Sequence, residues 1–257
     1  MTDFLKLKSF YLKKIRNDIL YLGVSSFDKK VSRNLTKAIK EHGDKKGIIL
    51  DLRNNPGGLL DQAINVTDVF VDEGVIVSQK GRDAAQEEKF YAKSSSTLTR
   101  KPLIVLVNGG SASASEIVGG ALQDHKRAVI VGQKTFGKGS VQVVLPITKD
   151  KGEGIKLTIA KYYLPSGRTI QATGITPDII SYPGEAVSEP ESTFSIKEAD
   201  LKKHLEGELE KVDGREKVKK IVDNGIKKKT ITKEELLKDN QLKTAVDMLT
   251  SLIITTK

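Results

Sequence analysis

Apolar and polar positions along this chain fall into two alternating patterns. Stretches that are apolar almost throughout, Ile19–Val24, Gly47–Leu52, Leu103–Val107 and Ala128–Val131, read as strands of a sheet covered on both faces. Between them, apolar positions recur at helical spacing. Val31, Leu35, Ala38 and Ile39 stand at i, i+4, i+7 and i+8, which predicts an amphipathic helix over Asp28–Glu41, stopped by His42-Gly43-Asp44. Leu59–Phe70 and the segment carrying Ile117, Val118, Ala121 and Leu122 are predicted helices as well. Strand–helix–strand repeats imply a parallel sheet with right-handed crossovers. Phe10–Ile15 fits a strand or an amphipathic helix, and we read it as a strand. Val75–Gln79 with Lys89–Ala92 predicts a hairpin, and Val141–Leu145 with Ile155–Ala160 predicts alternating strands around a turn. Tyr162–Arg168 reads as a turn.

The pattern changes after Pro183. Residues 184–193 (GEAVSEPEST) are acidic, contain Pro and Ser, and lack apolar periodicity, which predicts a linker between a core at 1–183 and a charged helical tail at 194–257. Late in that tail, Asp239–Leu252 places Leu242, Ala245, Val246, Leu249 and Leu252 on one helical face. Such a stripe must be buried. The expectation is that it pairs with its twin in a homo-oligomer, the other choice being a fold-back onto its own core.

Composition narrows the function classes. A chain of 257 residues with 38% hydrophobic and 30% charged residues has a globular balance and enough length for one good core. The net charge of +10 is spread out, with no basic stripe interleaved with aromatics and no Trp, so a lysine-rich solvated surface is expected rather than a nucleic-acid partner. The absence of Cys removes disulfides, thiolate metal sites and a cysteine nucleophile. No apolar run reaches membrane-spanning length, and no export signal is visible in the sequence.

The candidate chemistry lies between Gly110 and Gln142. After Leu103–Val107 the chain turns at Asn108-Gly109-Gly110, and Ser111, Ser113 and Ser115 follow at alternate positions before a predicted helix. A hydroxyl at a tight strand-to-helix turn is exposed, and the helix N-terminus favours developing negative charge. Lys138, between Gly137 and Gly139 on a later loop, is a candidate base. A lysine can act so only where it is held neutral. Spacing does not choose among the three serines. Gly57-Gly58, between a strand and a predicted helix, makes a turn where backbone N–H groups can point at an anion. A phosphate loop at Gly132–Gly139 is set aside, because Gly139 replaces the magnesium-binding hydroxyl and a strand follows instead of a helix. His42, His125 and His204 read as surface residues outside any Ser–His–Asp triad, and no cluster has metal-ligand spacing. No metal or cofactor is expected.

From about Tyr21 to about Pro177 the blocks DLRNNPGG, VNGGSASASEI, GKGSVQ, YYLPSGRTIQ and GITPD occur in that order. Together they resemble the carboxy-terminal processing (tail-specific) proteases. The resemblance implies an α/β fold with a ClpP/crotonase-like spiral core of ββα units, and a serine endopeptidase that cleaves protein or peptide substrates near their C-termini. It implies Ser113 as nucleophile, Lys138 as general base and Gln142 orienting the lysine. It also implies an oxyanion hole from Gly57 or Gly58 together with Ala114, a periplasmic or other extracytoplasmic location, and C-terminal helices that can mediate assembly. Family members commonly carry a PDZ domain ahead of the core, for which this sequence has no room. The alternative is therefore a catalytically incomplete, PDZ-less module for assembly or peptide binding.

Overall fold

The computed structural model describes residues 9–82, 87–147, 154–186 and 230–255. In chain order the strands are β1 (Phe10–Ile15), β2 (Ile19–Val24), β3 (Gly47–Asp51), β4 (Val75–Lys80), β5 (Glu87–Tyr91), β6 (Leu103–Val107), β7 (Val129–Gly132), β8 (Ser140–Pro146), β9 (Gly154–Tyr163), β10 (Ile179–Ile180) and β11 (Thr230–Ile231). The helices are α1 (Val31–Glu41), α2 (Leu60–Asp68), α3 (Ala114–Asp124), α4 (Lys233–Leu237) and α5 (Asn240–Thr255). A seven-stranded sheet runs β10-β7-β6-β3-β2-β1-β11, and a four-stranded sheet runs β5-β4-β9-β8.

Strands β10, β7, β6, β3 and β2 are mutually parallel, as their apolar runs imply, and β1 returns antiparallel to β2. Successive side chains on a strand face opposite sides, and both sides are dry. Leu20, Leu22, Ile48, Leu50, Leu103, Val105 and Val107 pack with α1, α2 and α3. Ile19, Tyr21, Ile49, Ile104, Leu106 and Val131 pack on the other side with α5. The α/β architecture agrees with the sequence expectation. Helix α1 begins at Val31 and not at Asp28, because the Asp28 carboxylate accepts from Lys30 N at 2.8 Å and so forms a turn ahead of the helix. The expected turn at Tyr162–Arg168 starts later, since β9 runs through Tyr163.

The tail corrects one expectation. Leu242, Ala245, Val246 and Leu249 are buried against the chain's own sheet, not held out for a partner. The fit is close: a Cβ on Gly47 would stand 2.9 Å from Leu249 Cδ1 and Ile253 Cδ1. β11 adds to β1 in parallel, and Arg16 Nη2 donates to Thr250 Oγ1 at 2.8 Å. Residues 187–229, which hold most of the expected linker and the first part of the expected tail, including His204, lie outside the described residues.

Candidate active site

The three serines have three different fates. Ser111 and Ser115 are fully buried. Ser111 Oγ donates to Leu52 O at 2.8 Å and accepts from Asn108 N at 3.0 Å, and Ser115 Oγ donates to Asn55 O at 2.9 Å. Their hydroxyls therefore tie the serine turn to the carboxyl end of β3. Ser113 is half-buried and stands at the N-terminus of α3 with φ 55° and ψ −113°. That conformation costs a non-glycine residue about 1–3 kcal/mol, and such strain clusters at functional sites.

Gly57 packs against this turn, and Gly58 beside it packs against Phe27. A Cβ on Gly57 would meet Ala112 O at 2.8 Å, Ser113 Cβ at 2.9 Å and Ala114 N at 3.0 Å. A Cβ on Gly58 would meet Phe27 O at 2.4 Å, and both residues have positive φ, at 102° and 147°. Only glycine allows this approach. The two amides differ. Gly57 N donates to Asn55 Oδ1 at 2.9 Å, whereas the N–H groups of Gly58 and Ala114 have no hydrogen-bond partner among the described residues. The Gly57 amide is thus already committed to shaping the turn, and of the candidate donors Gly58 N and Ala114 N remain uncommitted.

Lys138 lies on the loop between β7 and β8, half-buried, and its ammonium makes no ion pair among the described residues. Later segments hold this loop from outside. Gly139 N donates to Gln171 Oε1 at 3.1 Å, Ala172 N to Gly137 O at 2.9 Å, and Ile175 N to Thr135 Oγ1 at 2.7 Å. Gln142, on β8, has its Nε2 3.5 Å from Thr158 Oγ1 across the β8–β9 pair, next to a register shift at Val141/Gln142, and no hydrogen bond joins it to Lys138 among the described residues. No hydrogen bond joins Ser113 Oγ to Lys138 Nζ among the described residues.

Sequence reasoning missed Glu116, which joins the two halves of the site. It is fully buried. Its Oε2 accepts from Ser113 N at 2.8 Å and Lys138 N at 2.9 Å, while Oε1 accepts from Gly137 N at 2.7 Å and Thr135 Oγ1 at 2.5 Å. One carboxylate therefore fixes the serine backbone relative to the lysine backbone. The signal was present: an acidic residue three positions after a serine at a helix start is the capping-box spacing. Here its reach extends beyond its own helix to the lysine loop.

Beside the glycine turn is a charged cluster, Asp51, Arg53 and Asp239. Burial alone would lower the Arg53 pKa, but hydrogen bonds to Asp239 and Asp51 outweigh it and hold the pKa above its ordinary value. Burial would raise the Asp239 carboxyl, and the Arg53 hydrogen bonds reverse this and hold it below the ordinary range. Burial, followed by the nearby Asp51 carboxylate, pushes the Tyr21 phenol up, and its OH donates to Asp51 Oδ2 at 2.6 Å. His42 ends α1, and His125 ends α3 with its Nε2 2.7 Å from Val75 O, at the opposite end of that helix from Ser113.

Known proteins resemble this chain in sequence and fold. The family model "Peptidase family S41" matches residues 18–181. A carboxy-terminal-processing protease of Bartonella bacilliformis is 45% identical over 218 residues, covering 82% of this chain and 50% of that protein. The carboxy-terminal processing protease CtpA of Bacillus subtilis is 37% identical over 179 residues, covering 69% of this chain and 38% of that one. Among solved structures, a photosystem II D1 C-terminal processing protease superposes with a TM-score of 0.60 at 33% identity, over 67% of this chain and 47% of that chain. The chain spans half or less of the length of these relatives. With the matched region holding the serine turn, the glycine turn and the lysine loop together, the chain belongs to peptidase family S41.

Proposed function

We propose that this chain carries the catalytic core of a serine endopeptidase that cleaves protein substrates near their C-termini, with Ser113 as nucleophile and Lys138 as general base. The observation that carries the reading is the division of labour among the serines. Ser111 and Ser115 spend their hydroxyls on buried carbonyls, whereas Ser113 is only half-buried and stands at φ 55° against Gly57. In this mechanism neutral Lys138 Nζ takes the proton from Ser113 Oγ, which attacks the scissile carbonyl carbon. The carbonyl oxygen becomes an oxyanion held by the N–H groups of Gly58 and Ala114, donors whose loss costs about 3–4 kcal/mol of barrier each. Collapse breaks the C–N bond, and the lysine returns its proton to the leaving amine. Water, deprotonated by the same lysine, then releases the acyl group. Catalytic hydrogen bonds often tighten only with substrate in place, and Lys138 Nζ has no carboxylate partner among the described residues to hold it away from Ser113.

An extracytoplasmic, periplasmic setting goes with this reading through the family resemblance. Assembly into a homo-oligomer would have to use a surface other than the α5 stripe, which is already covered. Fluorophosphonate labelling followed by peptide mapping tests the proposal. The expected result is a single adduct on Ser113. An unlabelled folded chain, or an adduct on Ser111 or Ser115, refutes it.

A further inference from the structure

Two segments far apart in sequence hold Arg53 between them. From β3, Asp51 accepts from Nε at 3.1 and 3.0 Å and from Nη2 at 2.7 Å. From the start of the tail helix, Asp239 accepts from Nη1 and Nη2, each at 2.8 Å, and Gln241 Oε1 accepts from Nη1 at 3.2 Å. A guanidinium has five N–H donors, and these contacts use all of them. Arg53 therefore has no donor left for a substrate carboxylate. Its role is to join the tail to the strand that leads into the oxyanion turn.

Shifts at Arg53 have a short, stiff route to that turn. The Arg53 amide donates to Asp51 Oδ1 at 2.9 Å, Asn54 sits at φ 55° with its amide on Asn108 Oδ1 at 2.9 Å, and Gly57 N is fixed on Asn55 Oδ1. Pro56 between them fixes its own φ. These bonds leave little slack to absorb a displacement before Gly58. The tail end of the bridge is equally firm. Gln241 is buried, its Nε2 donates to Ser181 O at 2.8 Å, and Asp239 Oδ1 also accepts from Leu242 N at 3.0 Å.

We infer that Asp239 and Gln241 are positioning residues for hydrolysis: the docked start of α5 sets Arg53, and through Arg53 the placement of the Gly58 N–H in the oxyanion hole. The inference rests on the protease reading of the same site. It makes the tail a working part of the catalytic centre as well as a cover for the sheet.

The test uses the full chain with Asp239→Asn and Asp239→Glu. Fluorophosphonate labelling of Ser113 is followed as a function of reagent concentration, and melting is recorded for each protein. The expected result for folded Asp239→Asn is a limiting labelling rate lower by about tenfold or more, because displacements of about 1 Å at a catalytic group can cost about a hundredfold. The half-saturating concentration should stay within about twofold, and Asp239→Glu should recover most of the rate. A purely structural contact would lower the melting temperature and leave the limiting rate of the folded protein unchanged. An unchanged rate in folded Asp239→Asn overturns the inference. If Asp239→Asn does not fold, Gln241→Met removes one acceptor from Arg53 at similar volume. A rate lower by about threefold there supports the inference, and an unchanged rate overturns it. If the unsubstituted chain takes no label, the protease reading fails first. If it labels and the variants label equally, only the inference fails.

Discussion

Replacing Glu116 by Gln should disable the site while keeping most of its shape. The carboxylate presents only acceptors to four donors, from Ser113, Thr135, Gly137 and Lys138. A carboxamide of the same size must turn an NH2 toward one pair. If it faces Ser113 N and Lys138 N, two donors meet a donor and both backbone links to the site are lost. If it faces the other pair, the Thr135 hydroxyl can rotate to accept, and Gly137 N alone is stranded. The second orientation is the cheaper one. It forfeits hydrogen bonds to a charged acceptor, worth about 1.5–3 kcal/mol each, and leaves a buried N–H unsatisfied at about 1–3 kcal/mol. A net loss of about 3 kcal/mol corresponds to a melting temperature lower by about 6–12 °C in a domain of this size. The fold survives such a loss, and the lysine loop, now tied by one oxygen, moves relative to Ser113. Labelling of Ser113 by fluorophosphonate should slow by about a hundredfold in protein shown by circular dichroism to be folded. A Glu116→Gln protein that is folded and labels at the parent rate would refute the claim that this carboxylate sets serine against lysine.

Four further outcomes follow from the same geometry. Ser113→Ala should abolish hydrolysis with little change in melting, whereas Ser111→Ala, which strands Asn108 N and leaves Leu52 O with only Asn55 N, should cost about 1–3 kcal/mol of stability; the reverse pattern in activity and melting would undo the assignment. Lys138→Arg keeps a permanent charge that cannot accept the serine proton, so turnover should fall at least about a hundredfold with unchanged melting; retained turnover would show that Lys138 is no base. Deleting residues 230–257 uncovers the Leu242, Val246 and Leu249 side of the sheet, a loss of about 5–9 kcal/mol against a typical total of about 5–15, so cooperative melting should disappear; an unchanged melting curve would mean that the helix is not part of the core. The Asp239 carboxyl is held below its ordinary value by Arg53, so its contribution is complete above the unfolded pKa of about 3.9 and is lost as pH falls through the lower folded value; the melting difference between the parent and Asp239→Asn should be constant near neutrality and vanish in acid, and a difference that grows in acid would contradict the sign.

Elements set by local pattern were legible in the sequence, and contacts set by distant segments were not. The strands around Ile19–Val24, Gly47–Asp51 and Leu103–Val107 were recognisable because burial on both faces demands unbroken apolar runs. Ser113 and Lys138 were singled out as candidates by the family blocks, but the physical distinction of Ser113 from its neighbours needed coordinates, since it rests on which carbonyls Leu52 and Asn55 present to Ser111 and Ser115. Gly57 and Gly58 look alike in sequence, and only the Asn55 side chain separates their amides. Gln142 illustrates the converse. Its spacing from Lys138 suits a strand continuing from the loop, yet the register shift beside it turns its amide to Thr158.

The placement of α5 follows from a requirement that the sequence already imposed. Strands as apolar as those at β3 and β6 cannot leave either face in water, so each face of the sheet must find a cover. α1, α2 and α3 pack on the side of Leu22, Leu50 and Val105. Tyr21, Ile49, Ile104, Leu106 and Val131 on the opposite side then need apolar partners of their own. Leu242, Ala245, Val246 and Leu249 supply them at helical spacing. Reading the stripe in isolation points to a twin helix, because a stripe alone shows only that something must cover it. Reading it together with the two-faced strands points to the sheet. The same docking carries Asp239 and Gln241 to Arg53, so burial of the stripe and completion of the charged cluster beside the oxyanion turn are one event.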